Sequence, residues 1–258
     1  ADDNPVNQTV AEGFLIEMGC TVTCVGDGRA AVTRASSGAF DLILMDLQMP
    51  DIDGIAATTM IRRAEAVAGG RRTPIIALTA NASATHRKDC LAANMDDFLG
   101  KPLYLEDLRE VLQRWMPGHV YAPESPRPAT PLVAEPAEAS TCLDAEMIAG
   151  IRSISRPGQA SLFTRLVQLF AAGAPRQLGE LHAALDRGDL SGAAVVCHAL
   201  KGGAGNVGAA TFAHAAGELR IACTAGDQAA IASLLAQLDG LLPTAIAALQ
   251  AEALKESA

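Results

Sequence analysis

DLILMDLQMPDIDG, Asp41 to Gly54, is the stretch on which the fold of the first half turns. Leu42 to Met45 are four apolar residues in a row, and they run straight into the carboxylate of Asp46. The turn-forming pair Met49-Pro50 and the acidic segment Asp51 to Gly54 follow at once. A short apolar run closed by turn residues reads as a parallel strand buried on both faces. In an open α/β sheet the carboxyl edge of such strands is where ligands bind, so Asp46 stands where chemistry can occur.

Working outward, Asn4-Pro5 pairs a good N-cap with a proline at the first helical position, which predicts a helix from there to Gly19. Thr21 to Val25 (TVTCV) predicts a strand, Gly26 to Gly28 a turn and Arg29 to Ser36 a second helix. Beyond Asp46, Ala56 to Ala66 predicts a third helix and Pro74 to Thr79 an apolar segment with a polar end. Thr85 to Ala93 predicts another helix, Asp97 to Leu99 a short strand leading into Gly100-Lys101-Pro102, and Leu105 to Trp115 a closing helix. Strands alternating with helices imply a doubly wound parallel sheet with helices on both faces.

Polar groups fall at several strand ends. Asp2 and Asp3 open the first loop, Asp46 and Thr79 end strands, and Lys101 follows the last one. Three carboxylates resist joint ionisation unless a cation sits among them. An all-oxygen site of this kind suits Mg²⁺. A lysine and a threonine hydroxyl beside the metal would hold the oxygens of an incoming phosphoryl group. The chemistry expected of this end of the sheet is therefore that of a phosphoryl acceptor.

The motifs ADDN, LMDLQMPDIDG, ALTAN and FLGKP, in this order and spacing over residues 1 to 117, make the first half similar to the response-regulator receiver domain, a flavodoxin-like fold. The resemblance implies that Asp46 accepts phosphate and that Asp2, Asp3, Asp46 and the backbone carbonyl of Gln48 hold Mg²⁺. It also implies that Thr79 and Lys101 bind phosphoryl oxygens, that Phe98 shifts with Thr79 on activation, and that the Gln48 side chain and Asn81 tune hydrolysis. In that family a buried central strand precedes the acidic pair, whereas here only Ala1 does. Omitting it would leave neighbouring strands with unpaired backbone groups, so the natural chain is expected to continue upstream.

Between residues 118 and 140 prolines punctuate a run of Ala, Glu and Ser, the composition of a semi-extended linker. From residue 141 to 258 no strand pattern appears. Helices are expected over Asp144–Ile154, Gln159–Arg187, Leu190–Val207, Ala209–Ala225 and Asp227–Ser257, with Pro175 and Pro243 kinking or splitting two of them. Short turns between long helices imply an all-α antiparallel bundle.

Within it lies VVCHALKGGAGNVG, Val195 to Gly208. At about 100° per residue, Val196, Leu200, Gly203 and Val207 share a core-facing stripe, and His198 points away from it. Ala194, Lys201, Gly202, Gly205 and Ala209 surround His198 on the outer face. Glycines at 202, 203 and 205 cost on the order of 3 kcal/mol in a helix relative to alanine, a cost explained by the close approach of another backbone or domain. Gly203 to Gly208 also fits GxGxxG, but no strand precedes it and no βαβ unit surrounds it, so nucleotide binding is rejected.

HALKGGAGNVGA is similar to the signature of histidine phosphotransfer (HPt) domains. The resemblance implies that His198 is the phosphorylated histidine, that Lys201 steadies the phosphoryl group and that Gly202 leaves room beside the ring. Gly203 stands where many members carry a serine, so that hydroxyl's hydrogen bond is missing. A receiver followed by an HPt bundle resembles the C-terminal part of a hybrid sensor histidine kinase in a two-component phosphorelay. An upstream kinase core and a downstream response-regulator receiver are the partners this implies. Two other readings stand beside the relay: an interaction module switched by phosphorylation of Asp46, and a phosphate drain working by reverse transfer.

The net charge of −9 argues against a nucleic-acid partner. Six cysteines without a CxxC pair fit buried thiols in a reducing, cytoplasmic compartment. No apolar run is expected to cross a membrane, and direct membrane contact is not expected of this segment. No motif binds ATP, so the segment is not expected to be a kinase by itself.

Overall fold

In a computed structural model of the chain, residues 1–79, 90, 93–117, 142–154 and 161–256 are described. The expected linker, Asn81 and most of the helix expected over Thr85 to Ala93 lie outside these residues.

Among the described residues, three strands form a parallel sheet in the order β1 (Ile43–Asp46), β2 (Ile75–Thr79) and β3 (Asp97–Gly100). Asp46 pairs with Leu78, and Thr79 with Gly100. The register therefore brings Asp46, Thr79 and the residue after β3, Lys101, to one edge. Helices α1 (Pro5–Glu17), α2 (Gly28–Ala35), α3 (Gly54–Ala68) and α4 (Leu105–Trp115) flank the sheet. Asn4 caps α1, its side-chain oxygen accepting from the Val6 amide, with Pro5 in the first turn. A Cβ on Gly54 would meet the Asp46 carbonyl oxygen at 2.1 Å, so only glycine lets α3 start this close to the strand end.

Thr21 to Val25 forms no strand, contrary to the sequence expectation. Among the described residues, the outer edge of β1 is met by Ala1, whose nitrogen donates to the Leu44 carbonyl and whose carbonyl accepts from the Asp46 amide. A cavity of about 560 Å³, lined by Thr21 to Val25, Ala11, Leu15, Leu42, Leu44 and Leu112 among others, separates the two segments. The Val25 carbonyl accepts from the Asp2 amide at 3.1 Å, but one backbone bond at the end of an extended segment does not make a ladder.

The second half is helical throughout its described residues: α5 (Ala145–Ser153), α6 (Leu162–Asp186), α7 (Leu190–Val207), α8 (Ala210–Ala225) and α9 (Gln228–Leu254). Pro175 and Pro243 lie inside α6 and α9 without dividing either. Gly208, at φ 86°, ends α7 in the left-handed conformation that glycine adopts without penalty. The expectation of no membrane-length apolar run fails for α9, which is long and apolar enough by length and composition to cross a membrane. Here it packs along α6 and α8 with Ile231, Leu238, Leu242 and Leu249 buried.

Alternation along β2 divides the core. Ile75 and Ala77 face a cluster with Met45, Ala57 and Ile61, whereas Ile76 and Leu78 join α1, α4 and the bundle in one continuous cluster. Val6, Val10 and Phe14 of α1 belong to the same apolar core as Phe163, Leu166 and Leu200. The two halves are thus packed together, with α1 lying against α6 and α7.

Candidate functional site

At the carboxyl edge of the sheet, Asp2, Asp3 and Asp46 each bring a carboxylate oxygen within 4.8 Å of the others. Lys101 reaches between two of them, its Nζ 2.6 Å from Asp2 Oδ2 and 2.7 Å from Asp46 Oδ2. The second contact is a close ionic approach without hydrogen-bond alignment, so Asp46 Oδ2 is buried with no directed donor among the described residues. Asp46 Oδ1 accepts from the Gln48 amide at 3.2 Å, while the Gln48 side chain is exposed. Thr79 is buried, and its carbonyl accepts from the Lys101 amide at 2.7 Å. Phe98 is half-buried beside the Met45 cluster.

Burial dominates the charge states here. It pushes Asp46 up to about 6 in spite of Lys101, with Asp2 adding to the rise, and it raises Asp3 as well. Burial alone would lower Lys101, but Asp2 and Asp46 outweigh it and hold the ammonium above its usual range. Three hard oxygen donors, one of them a buried and undirected atom, fit a small divalent cation.

His198 of α7 faces away from the stripe of Ala193, Cys197, Leu200, Ala204 and Val207 that fills the bundle. It is not open to solvent, however: the residue is only 7% exposed, and Asn4 of the first half bonds the carbonyl of its neighbour Ala199. Burial, then the positive charges of Lys101 and Arg220, bring it down to about 3, while Asp2 pulls the other way. The ring is neutral at pH 7, and its Nδ1 has no partner among the described residues. Lys201, half-buried, lies along Gly217 of α8, where a Cβ would meet its Cδ at 3.3 Å. Burial and Arg220 lower its affinity for protons.

The helical glycines are where the two halves touch. A Cβ on Gly202 would lie 3.2 Å from Asn7 Nδ2, on Gly203 3.0 Å from Asn4 Nδ2, and on Gly205 3.3 Å from Pro102 Cβ. Gly203 therefore faces the first half rather than the bundle core, since the core stripe passes through Leu200 and Ala204 and leaves residue 203 beside it. Hydrogen bonds cross the same seam. Asn4 Nδ2 donates to the Ala199 carbonyl at 2.9 Å, and Tyr104 Oη donates to Asp144 Oδ2 at 2.9 Å. Asn206 accepts from the Leu103 amide at 2.8 Å and donates to Asn7 Oδ1 at 2.9 Å. Asn7, Asn206 and Arg220 were not singled out from the sequence, and Asn4 only as a helix cap. For Asn206 a signal existed, because an asparagine inside an apolar helix requires a partner and the bundle pattern offers none.

Residues 1–113 match the family described as the response regulator receiver domain, and residues 165–252 the family described as the Hpt domain. The chain contains a receiver domain followed by an Hpt domain. The receiver part is 44% identical over 114 residues to the sensor protein GacS of Pseudomonas syringae pv. syringae, a match that takes in 44% of this chain and 13% of that protein. It is also 43% identical over 117 residues to the histidine-protein kinase BarA of Escherichia coli K12, covering 45% of this chain and 12% of BarA. Among solved structures, the receiver domain of the sensor histidine kinase PA1611 from Pseudomonas aeruginosa PAO1 is 50% identical with a TM-score of 0.41, covering 45% of this chain and 92% of that one. The chain thus spans about an eighth of the curated relatives it matches.

Proposed function

We propose that this receiver–Hpt tandem passes a phosphoryl group reversibly between Asp46 and His198, as the C-terminal part of a hybrid sensor histidine kinase. The observation that carries the proposal is that His198 is buried against the receiver, where Lys101 and Asp2 act on its charge.

In the reaction, a neutral imidazole nitrogen of His198 attacks the phosphorus carried by Asp46. The P–O bond to the carboxylate breaks as the P–N bond forms, and Asp46 is left as an anion beside Lys101. Burial that suppresses protonation of His198 keeps its lone pair available. Lys101 and the Thr79 hydroxyl would balance the phosphoryl oxygens on the receiver side, and Lys201 would do so on the Hpt side. Mg²⁺ held by Asp2, Asp3, Asp46 and the Gln48 carbonyl would supply charge neutralisation at the phosphoryl oxygens. The reverse step regenerates the acyl phosphate, so net flow follows the partners: an upstream kinase core and a downstream receiver. Within this reading the receiver spans 1–117, a linker 118–140 and the Hpt bundle 141–258, all on the cytoplasmic side.

The test is to load the chain from a labelled small-molecule phosphodonor with Mg²⁺ and to map the label on wild type, Asp46→Asn and His198→Gln. Label on both residues in wild type, on neither in Asp46→Asn and on Asp46 alone in His198→Gln supports the relay. The hydrogen-bonded seam favours one rival, a docking module without transfer. That rival predicts label on Asp46 alone in wild type as well.

A further inference from the structure

We propose that Asn206 is a positioning residue for transfer, acting through Asn7 on Asp2 and through Leu103 on the loop that carries Lys101. This rests on the relay reading and adds to it a physical link between docking of the bundle and the geometry of the acid pocket. Asn206 is fully buried, and both ends of its carboxamide are used on the receiver. The oxygen accepts from the Leu103 amide, two residues beyond Lys101, and the NH₂ donates to Asn7 Oδ1.

Committing the Asn7 oxygen in this way fixes which way the Asn7 amide points. Its own NH₂ is then turned to Asp2, at 3.0 Å from Oδ1 and 3.2 Å from Oδ2. Asp2 Oδ2 in turn accepts from Lys101. A continuous chain of donors and acceptors thus runs from the Hpt helix to the carboxylate and back along the loop to Lys101. A donor at position 206 is essential to this order. An acceptor there would draw the Asn7 NH₂ toward itself and turn the Asn7 oxygen at the Asp2 carboxylate, oxygen against oxygen. Replacing Asn206 by aspartate keeps the volume and removes the donor, which separates positioning from space filling.

The experiment uses the full chain with Asp46 loaded from a labelled small-molecule phosphodonor, and follows single-turnover appearance of label on His198. Wild type is compared with Asn206→Ala, Asn206→Asp, Asn7→Ala and the Asn7→Ala/Asn206→Ala double variant. Circular dichroism reports folding of each. Each single variant is expected to slow transfer ten- to a hundredfold, and the double variant to be no slower than the worse single one, because both cut the same chain of contacts. In parallel, the metal-free chain labelled with ¹⁵N is expected to show the Asn7 side-chain amide protons moving and exchanging faster in both Asn206 variants. Wild-type transfer in Asn206→Asp, slowing in the double variant equal to the product of the singles, or an Asn7 amide unchanged by Asn206→Ala each overturns the proposal. If wild type passes no label to His198, the relay reading falls, and the Asn7 amide still decides whether Asn206 orders it.

Discussion

Lys101 Nζ lies 2.7 Å from Asp46 Oδ2, although Asp46 ends β1 and Lys101 follows β3, with β2 between the two strands. The lysine serves as the counter-charge of a buried acid pair, since it touches Asp2 as well.

Replacing Lys101 with methionine therefore strands two buried carboxylates. Loss of one partner from a buried ion pair costs on the order of 3–5 kcal/mol. Urea unfolding of Lys101→Met without divalent cations should show a loss of about that size, and millimolar Mg²⁺ should recover part of it. Equal stability of variant and wild type in metal-free buffer would mean that the ammonium is not what balances the pocket.

His198 gives a pH dependence of defined sign. Its folded value, about 3, lies below the ordinary 6.5, so the folded state disfavours its protonation. The stability linked to this group is fully present above pH 6.5 and is lost as pH falls from there toward 3. Between pH 6.5 and 5 the loss from this group amounts to about 2 kcal/mol. Comparing wild type with His198→Gln across that range isolates it: the variant's curve should be flatter by that amount.

The glycines of α7 make a prediction in which stability and transfer move apart. Gly202→Leu and Gly205→Leu improve helix propensity by roughly 1 kcal/mol each. They also push side chains into Asn7 and Pro102. Loaded as above, both variants should retain a folded bundle by circular dichroism while transfer to His198 drops at least tenfold. Wild-type transfer would show that the close approach is not needed.

Gly54→Ala tests the junction that presents Asp46. The added Cβ would collide with the Asp46 carbonyl oxygen, and main chain cannot yield as a flexible side chain can. A loss on the order of 2–4 kcal/mol is expected in urea unfolding, in the range of other backbone clashes.

Much of this was legible in the residues themselves. Asp46 ends a buried parallel strand because the apolar run before it can only be sandwiched, and the long bundle helices fall within a few residues of their periodic patterns. Thr21 to Val25 misled, because a strand is made by its neighbour as much as by its own side chains. α9 was expected as a bundle helix and forms one, although its length and composition would also suit a membrane.

The linear chain by itself determined that acids and a lysine gather at one edge of a parallel sheet and that His198 lies off the core stripe of its helix, since both follow from side-chain type and repeat. Only the tertiary structure decided that His198 is covered rather than exposed, and that Gly203 meets Asn4. The same holds for Asn206, which joins a bundle helix to Asn7 across 199 positions. Periodicity describes an element against its own axis, whereas these facts depend on what a distant surface brings to meet it.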